Sequence, residues 1–551
     1  MGTLHYSLAS ERSPQSSLAQ KSRLASQSRL ASQSRLAQIQ QFAVTAAQMS
    51  QIEGRLFAAG MPVAALMEKV AGLLVQRILE GYPLQAGDRV GILVGPGHNG
   101  GDALVVAREL HLQGIEVQRY QPFTQLKDLT AAHAQYADSL GIPQLQQVEA
   151  LQACDLLIDG LFGFGLTRSL QGEIAQAVDW INRFSNQQSV PVVSIDLPSG
   201  LHTDTGAVLG TAIQATDTFC LGLWKLAFLQ DQALEYVGQA ELIDFGLPLA
   251  DIRAVLGDVP QLQRITAESA IAALPLPRPA STHKYQQGHV LLVCGSQRYM
   301  GAAILAGLAA RASGVGMLSM AIPEALQPLL ISQLPDALLI GCPQTPEGAI
   351  AHLPESIELG KYDAIACGPG LTTAAQGAVQ QVLDSTCPLV LDADGLNILA
   401  NRVDALSQRQ AVTVLTPHVG EFKRLFPGLA EPLSDRLGAV QKAAQQSGAI
   451  VLLKGARTAI AHPQGSVWLN PDSTPALARG GSGDILTGMM GGLLAQGMRR
   501  GIPVESVVQS AAWWHSQAGI FGAQQRTELG VDAATLSQML IPALRQAMEP
   551  E

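Results

Sequence analysis

Short apolar runs that stop at a glycine or an aspartate recur along this chain, and they constrain its fold more than any other feature. Arg89–Val94 runs into Gly95-Pro96-Gly97-His98-Asn99-Gly100-Gly101-Asp102, and Leu104–Leu112 then reads as a helix. Leu156–Ile158 ends in Asp159, Val192–Ile195 ends in Asp196, and Thr218–Leu221 offers a further strand. The pattern lapses around Pro248–Gln263. A second series follows in His289–Cys294, Ala364–Cys367, Leu389–Asp392, Val412–Thr416 and Ile450–Lys454. Strands alternating with helical stretches form parallel sheets covered by helices. Ligands bind such sheets at the carboxyl ends of the strands, where these polar residues fall. The expected fold class is therefore α/β, in two successive units.

A chain of 551 residues exceeds one ordinary core, and its 47% hydrophobic and 15% charged content suits well-buried layers. The expected organisation is a variable extension over 1–43, a first unit over 44–250, a linker over 251–280, and a second unit over 281–551. The linker reading rests on Leu274-Pro275-Leu276-Pro277-Arg278-Pro279. The extension carries a short repeat, Ser22-Arg23-Leu24-Ala25-Ser26-Gln27, resumed from Ser28 and partly from Ser34. It lacks the apolar core of a signal peptide, and its serine and arginine content could also mimic a transit peptide.

The net charge of −10 argues against nucleic acid as the main partner, because phosphate neutralisation needs basic surface. No apolar run reaches membrane-spanning length. The six cysteines show no CxxC spacing and are expected to be buried, reduced thiols. A cytoplasmic homo-oligomer acting on small molecules is expected.

The glycine loops carry the chemistry. Glycine lets a backbone turn tightly and bring bare N–H groups against a ligand. A helix N-terminus adds free donors and partial positive charge, which suits phosphate. An aspartate beside such an anion site would be repelled unless it took part in the chemistry. In the first unit Gly163-Phe164-Gly165-Leu166-Thr167-Arg168 adds a second glycine loop soon after Asp159. Asp196-Leu197-Pro198-Ser199-Gly200 sets a carboxylate and a hydroxyl at one turn.

In the second unit Gly480-Gly481-Ser482-Gly483-Asp484 runs into a helical stretch from Ile485. Such an anion hole with one base is a sufficient kernel for phosphoryl transfer, with Asp484 accepting a hydroxyl proton. Other strand ends add Gly368-Pro369-Gly370, Asp392-Ala393-Asp394, Pro417-His418 and Lys454-Gly455-Ala456-Arg457-Thr458. No GxxxxGK[ST] loop is present, so ordinary P-loop chemistry is excluded.

The first set of motifs resembles the epimerase domain of the NAD(P)H-hydrate repair family, the YjeF N-terminal domain. The resemblance spans roughly Val44–Leu247 and implies a Rossmann-like three-layer fold acting on hydrated NADH or NADPH. It implies that Asn99, Asp159 and Ser199 bind a potassium ion. His98, Asn99, Gly100, Gly101 and Asp102, then Gly163, Phe164, Gly165, Leu166, Thr167, Arg168 and Ser169, and Asp196, are implied substrate contacts. Asp196 is the implied acid/base of C6 epimerisation. The chain departs from the family in His98 for Asn, in Ala103 for Gly, and in Met67-Glu68-Lys69-Val70-Ala71-Gly72 for a Met-Glu-Asn-Ala-Gly pattern.

The second set resembles the ADP-dependent NAD(P)H-hydrate dehydratases of the ribokinase-like superfamily, over roughly Thr266–Ala547. The resemblance implies that Ala302, Gly370, His418 and Asp484 meet the hydrate. It also implies that Lys454, Gly455, Ala456, Arg457, Thr458 and Gly483 meet the adenine nucleotide. Magnesium would be held mostly through phosphates. A vitamin-alcohol kinase, a nucleotide sensor, and a non-catalytic binding module in the first unit are the competing readings.

Overall fold

Side-chain alternation decides how the first series of strands folds. The computed structural model describes residues 35–400, 402–429 and 435–549. In β1 (Arg89–Val94), Val90, Ile92 and Val94 face one apolar core while Leu93 faces another. β2 (Glu116–Tyr120), β3 (Gln144–Leu145), β4 (Leu156–Gly160), β5 (Val192–Ile195), β6 (Asp217–Leu221) and β7 (Gln239–Ile243) complete the sheet. Its seven strands lie in the order 3-2-1-4-5-6-7, all parallel. Strands covered on both faces are nearly continuous apolar runs, as in Val90–Val94 of β1 and Leu156–Ile158 of β4. α1 (Ala46–Ala58), α2 (Val63–Gly81) and α3 (His98–Leu112) supply much of one covering layer.

The second sheet obeys the same rule over ten strands. These are β8 (Leu262–Arg264), β9 (His289–Val293), β10 (Met317–Pro323), β11 (Leu338–Cys342), β12 (Ala364–Cys367), β13 (Leu389–Leu391), β14 (Thr413–Leu415), β15 (Ile450–Leu453), β16 (Thr458–Ala461) and β17 (Val467–Asn470). They lie in the order 8-17-16-15-14-13-12-9-10-11, and only the 15–16 and 16–17 pairings are antiparallel. Val290 and Leu292 face one core, and Leu291 and Val293 the other. α4 (Met300–Ala312) and α5 (Ser482–Arg500) cross at small residues. A methyl group placed on Gly488 would lie 2.0 Å from the Ala306 carbonyl oxygen. That closeness fixes where α5 begins above the strand ends.

Two expectations need correction. The segment read as a linker over 251–280 is structured in part. A helix spans Leu249–Leu256, β8 pairs with β17, and Thr266 caps a helix over Ala267–Ala272 through a reciprocal bond with Ser269. The polar spacing hid a three-residue edge strand. Likewise, the end of the expected extension is packed. Arg35 makes two bonds to Asp244, at 2.7 and 3.0 Å, and Ile39 and Phe42 are buried. Ala43–Val44 pairs in parallel with Trp224–Lys225, and Phe42 lies antiparallel to Gln263. Up to Ser34 the serine-rich repeat lies outside the described residues.

All six cysteines are free and buried. Among the described residues no single helix is long and apolar enough to cross a membrane.

Candidate active sites

Strand order in the first sheet reverses between β1 and β4, and such a switch point opens a crevice at the strand ends. The loop after β1 is shorter than its sequence suggests. α3 starts at His98, so the turn is only Gly95-Pro96-Gly97 and His98–Asp102 form the first turn of helix. Gly101 N–H already bonds the Gly97 carbonyl, at 3.2 Å. The amides of His98, Asn99 and Gly100 precede it and have no partner within the helix.

A cavity of about 610 Å³ opens here, lined by Glu53, His98, Asn99, Asp102, Lys127, Gly163, Phe164, Gly165, Leu166, Thr167, Arg168 and Asp196, among others. Gly100, Gly101 and Ser169 are not among its lining residues. Gly100 abuts the Gly95 backbone and Gly101 the Met67 side chain, so both glycines serve close packing. Ala103 stacks its methyl group over Gly160. Lys69 is exposed, with its ammonium beside Gly246.

Asp196 is the most constrained residue of this site. It is buried and holds φ at +70°, a left-handed conformation that a non-glycine residue adopts only when its surroundings enforce it. One carboxylate oxygen accepts from Phe164 N–H at 2.9 Å. The other accepts from Leu221 N–H at 3.3 Å and from the Lys225 ammonium. Lys225 is wholly buried and also donates to the Leu221 carbonyl at 2.5 Å. Burial works against its charge, but Asp196, Cys220 and Glu53 together hold the ammonium above its ordinary pKa.

Across the cluster, burial pushes the Glu53 carboxyl up to about 7. Burial, aided by Asp196 and Glu53, holds Asp102 well above the usual carboxylate range. One carboxyl engaged by three donors lies beside two that burial raises above the usual carboxylate range, and such unlike surroundings can divide base and acid roles.

Asp159 lies beneath the cavity. It accepts from Ser194 Oγ and Ser199 N–H, both at 2.9 Å, and from Ser199 Oγ at 2.6 Å. Burial raises its pKa against the pull of those hydroxyls. Asn99, Asp159 and Ser199 all border the Gly160–Gly163 turn: Asn99 approaches Gly160 and Gly163, and Ser199 Oγ accepts from Phe162 N–H at 2.8 Å. Asn99 Nδ2 is buried without a partner. Turning that amide over would put its oxygen there instead.

In the second sheet the order reverses between β9 and β12. Gly370, at φ +66°, packs on Ala302, and Gly295 N–H bonds the Pro369 carbonyl at 2.8 Å. Those contacts bring the two residues together at the switch point. Gly481, at φ +92°, caps α5, which starts at Ser482 and carries Asp484 in its first turn. Burial pushes Asp484 up to about 7, reinforced by Asp392 and opposed by Lys454.

Lys454 donates to Asp392 Oδ1 at 2.6 Å, and Thr487 Oγ1 to Asp392 Oδ2 at 2.5 Å. Gly483 faces that pair, with its missing side chain 3.3 Å from the Lys454 ammonium. His515, held neutral because burial pushes it down to about 4, meets the Ser482 carbonyl at 2.9 Å and steadies the helix start.

His418 caps the Val419–Leu425 helix, accepting from Gly420 N–H at 2.9 Å and leaving the ring mostly exposed. The strand-end loops are tied together. Thr372 N–H and Asn397 bond to Asp394, and Arg424 bonds to Asn397.

A family model described as YjeF-related protein N-terminus matches residues 63–227, and one for NAD(P)H-hydrate dehydratase matches 290–542. A bifunctional NAD(P)H-hydrate repair enzyme of Synechocystis sp. is 56% identical over 92% of this chain and 95% of its own length. The chain belongs to the bifunctional NAD(P)H-hydrate repair enzymes. A second member, from Thermosynechococcus vestitus, is 53% identical over 92% of this chain and 98% of its own length. A solved Bacillus subtilis ADP/ATP-dependent NAD(P)H-hydrate dehydratase, crystallised with ATP and Mg2+, is 35% identical. It covers 52% of this chain and 98% of its own, with a TM-score of 0.45. As a repair enzyme, the chain joins an epimerase half to a dehydratase half.

Sequence reasoning missed Glu53, Lys225, Thr487 and His515. None sits in a glycine motif. Lys225 follows β6, its ammonium bonds the Leu221 carbonyl, and its strand pairs with Ala43–Val44.

Proposed function

We propose that residues 44–250 interconvert the R and S forms of hydrated NADH or NADPH, and that residues 281–551 dehydrate the S form with ADP, yielding AMP and phosphate. The observation that carries this reading is that each half sets a carboxyl group at the switch point of its own sheet, beside a helix N-terminus.

In the first half, Glu53 protonates the departing C6 hydroxyl and Asp196 takes the proton of the water that returns. His98, Asn99, Asp102 and the Gly163–Arg168 turn hold the hydrate. The oxygens of Asn99, Asp159 and Ser199 suit a hard monovalent cation such as potassium. That charge would offset the buried Asp159 carboxylate and stiffen the Gly160–Gly163 turn.

In the second half, Ala302, Gly370 and His418 seat the hydrate. Asp484 removes the proton from its hydroxyl as that oxygen attacks the terminal phosphorus of the nucleotide. Phosphate then leaves far more readily than hydroxide would, the adjacent ring carbon gives up a proton, and the ring double bond returns. Lys454–Thr458 and Gly483 hold the nucleotide. Mg2+, held mostly through the phosphates, would neutralise their charge. We also place the protein in the cytoplasm as a homo-oligomer without nucleic-acid or membrane partners.

The test is incubation of hydrated NADH as an R/S mixture with ADP or ATP, following nicotinamide absorbance. Complete recovery with ADP is expected. Recovery that stops at the S fraction would remove the epimerase assignment, and accumulation of a stable phosphoester would favour a kinase. Asp196→Asn should leave only the S fraction consumed at the enzymatic rate.

A further inference from the structure

Asp231 belongs to the first half of the chain, yet its carboxylate reaches the Lys454–Thr458 turn of the second. Oδ1 accepts from the Arg457 backbone N–H at 2.7 Å, and Oδ2 from Arg436 Nη1 at 2.5 Å. The other end of the same guanidinium donates to the carbonyls of Leu453 and Lys454, at 3.2 and 3.0 Å. It lies flat against Gly455, where a methyl group would come within 2.1 Å of it. Arg457 Nε adds a bond to the Phe228 carbonyl at 3.2 Å. The turn is thus gripped by its backbone at both ends, while the Lys454 side chain points to Asp392.

We propose that Asp231 is a positioning residue for the nucleotide site of the dehydratase half, setting the Lys454–Arg457 turn directly and through Arg436. This rests on reading that turn as the nucleotide contact. Burial disfavours the Arg436 charge, and Asp231 is the carboxylate that opposes this. Removing it leaves a poorly hydrated cation that must move, and the carbonyls it holds move with it. The epimerase half thereby forms part of the support of its neighbour's active site.

The experiment uses the full chain with MgADP and the S hydrate. Asp231→Ala should raise the KM for ADP about tenfold with kcat within about twofold. It should weaken MgADP binding by titration calorimetry to the same degree, and leave epimerase activity unchanged. Asp231→Glu should recover part of the loss. A merely structural defect would lower kcat and epimerase activity together, and that outcome overturns the proposal. So does an unchanged KM in Asp231→Ala when Lys454→Ala weakens ADP binding. If Lys454→Ala also leaves ADP binding unchanged, the nucleotide assignment of the turn itself is wrong.

Discussion

Asp196 and Asp484 are both aspartates at strand-end crevices, but their surroundings give them different tasks. Asp196 has both oxygens occupied by donors, while Asp484 lies beside other carboxylates under burial. Replacing Asp484 by asparagine should cut ADP-dependent dehydration by about 10²–10⁴ and leave epimerisation intact, as coupled and uncoupled rate assays would show. Glu53→Gln should do the converse, lowering R-form consumption by about 10² while S-form dehydration continues. Asp159 and Asp196 were legible in the sequence because each closes an apolar run, and Asp484 because it closes a glycine loop ahead of a helix. Glu53 was not, since it sits inside α1, where the lone Gly54 beside it marks neither a loop nor a strand end. Lys225 was hidden for another reason. Its strand pairs with residues about 180 positions away, which local spacing cannot express.

Strands that end on a glycine or polar residue of a motif were readable even at three residues, as in β13 and β14, while β2, β7, β10 and β11 carry no such mark and were missed despite five to seven residues. β3 and β8 have two and three residues, too few to display a period. Helix starts were blurred because glycines that read as loop lie within the first turns of α3 and α5. One turn further along α5, Gly488 packs against α4. Gly488→Val should push the two helices apart and destabilise the fold by about 1–3 kcal/mol, read as a lower midpoint in denaturant. Because α5 also carries Asp484, dehydratase activity should fall further than epimerase activity in the same variant.

Both halves are fused, but their proton-transfer groups ask opposite things of pH. Glu53 acts as an acid with a pKa raised to about 7, so epimerisation should decline as pH rises through that value. Asp484 acts as a base also raised to about 7, so dehydration should climb over the same interval. Initial rates of the two reactions, measured separately on one preparation across neutral pH, should therefore cross. Parallel profiles would remove one of the two assignments.

The packed segment over Gln40–Val44 has a consequence for how the two activities can be separated. It pairs with the strand that carries Lys225, and its Gln41 carbonyl accepts from Arg264 N–H along the outer edge of β8. Dividing the gene near residue 257 would give a second polypeptide whose outermost strand has lost its cover. A bare edge of that kind is a template for self-association. A stand-alone second half would therefore need a new shield for β8 before it could remain soluble.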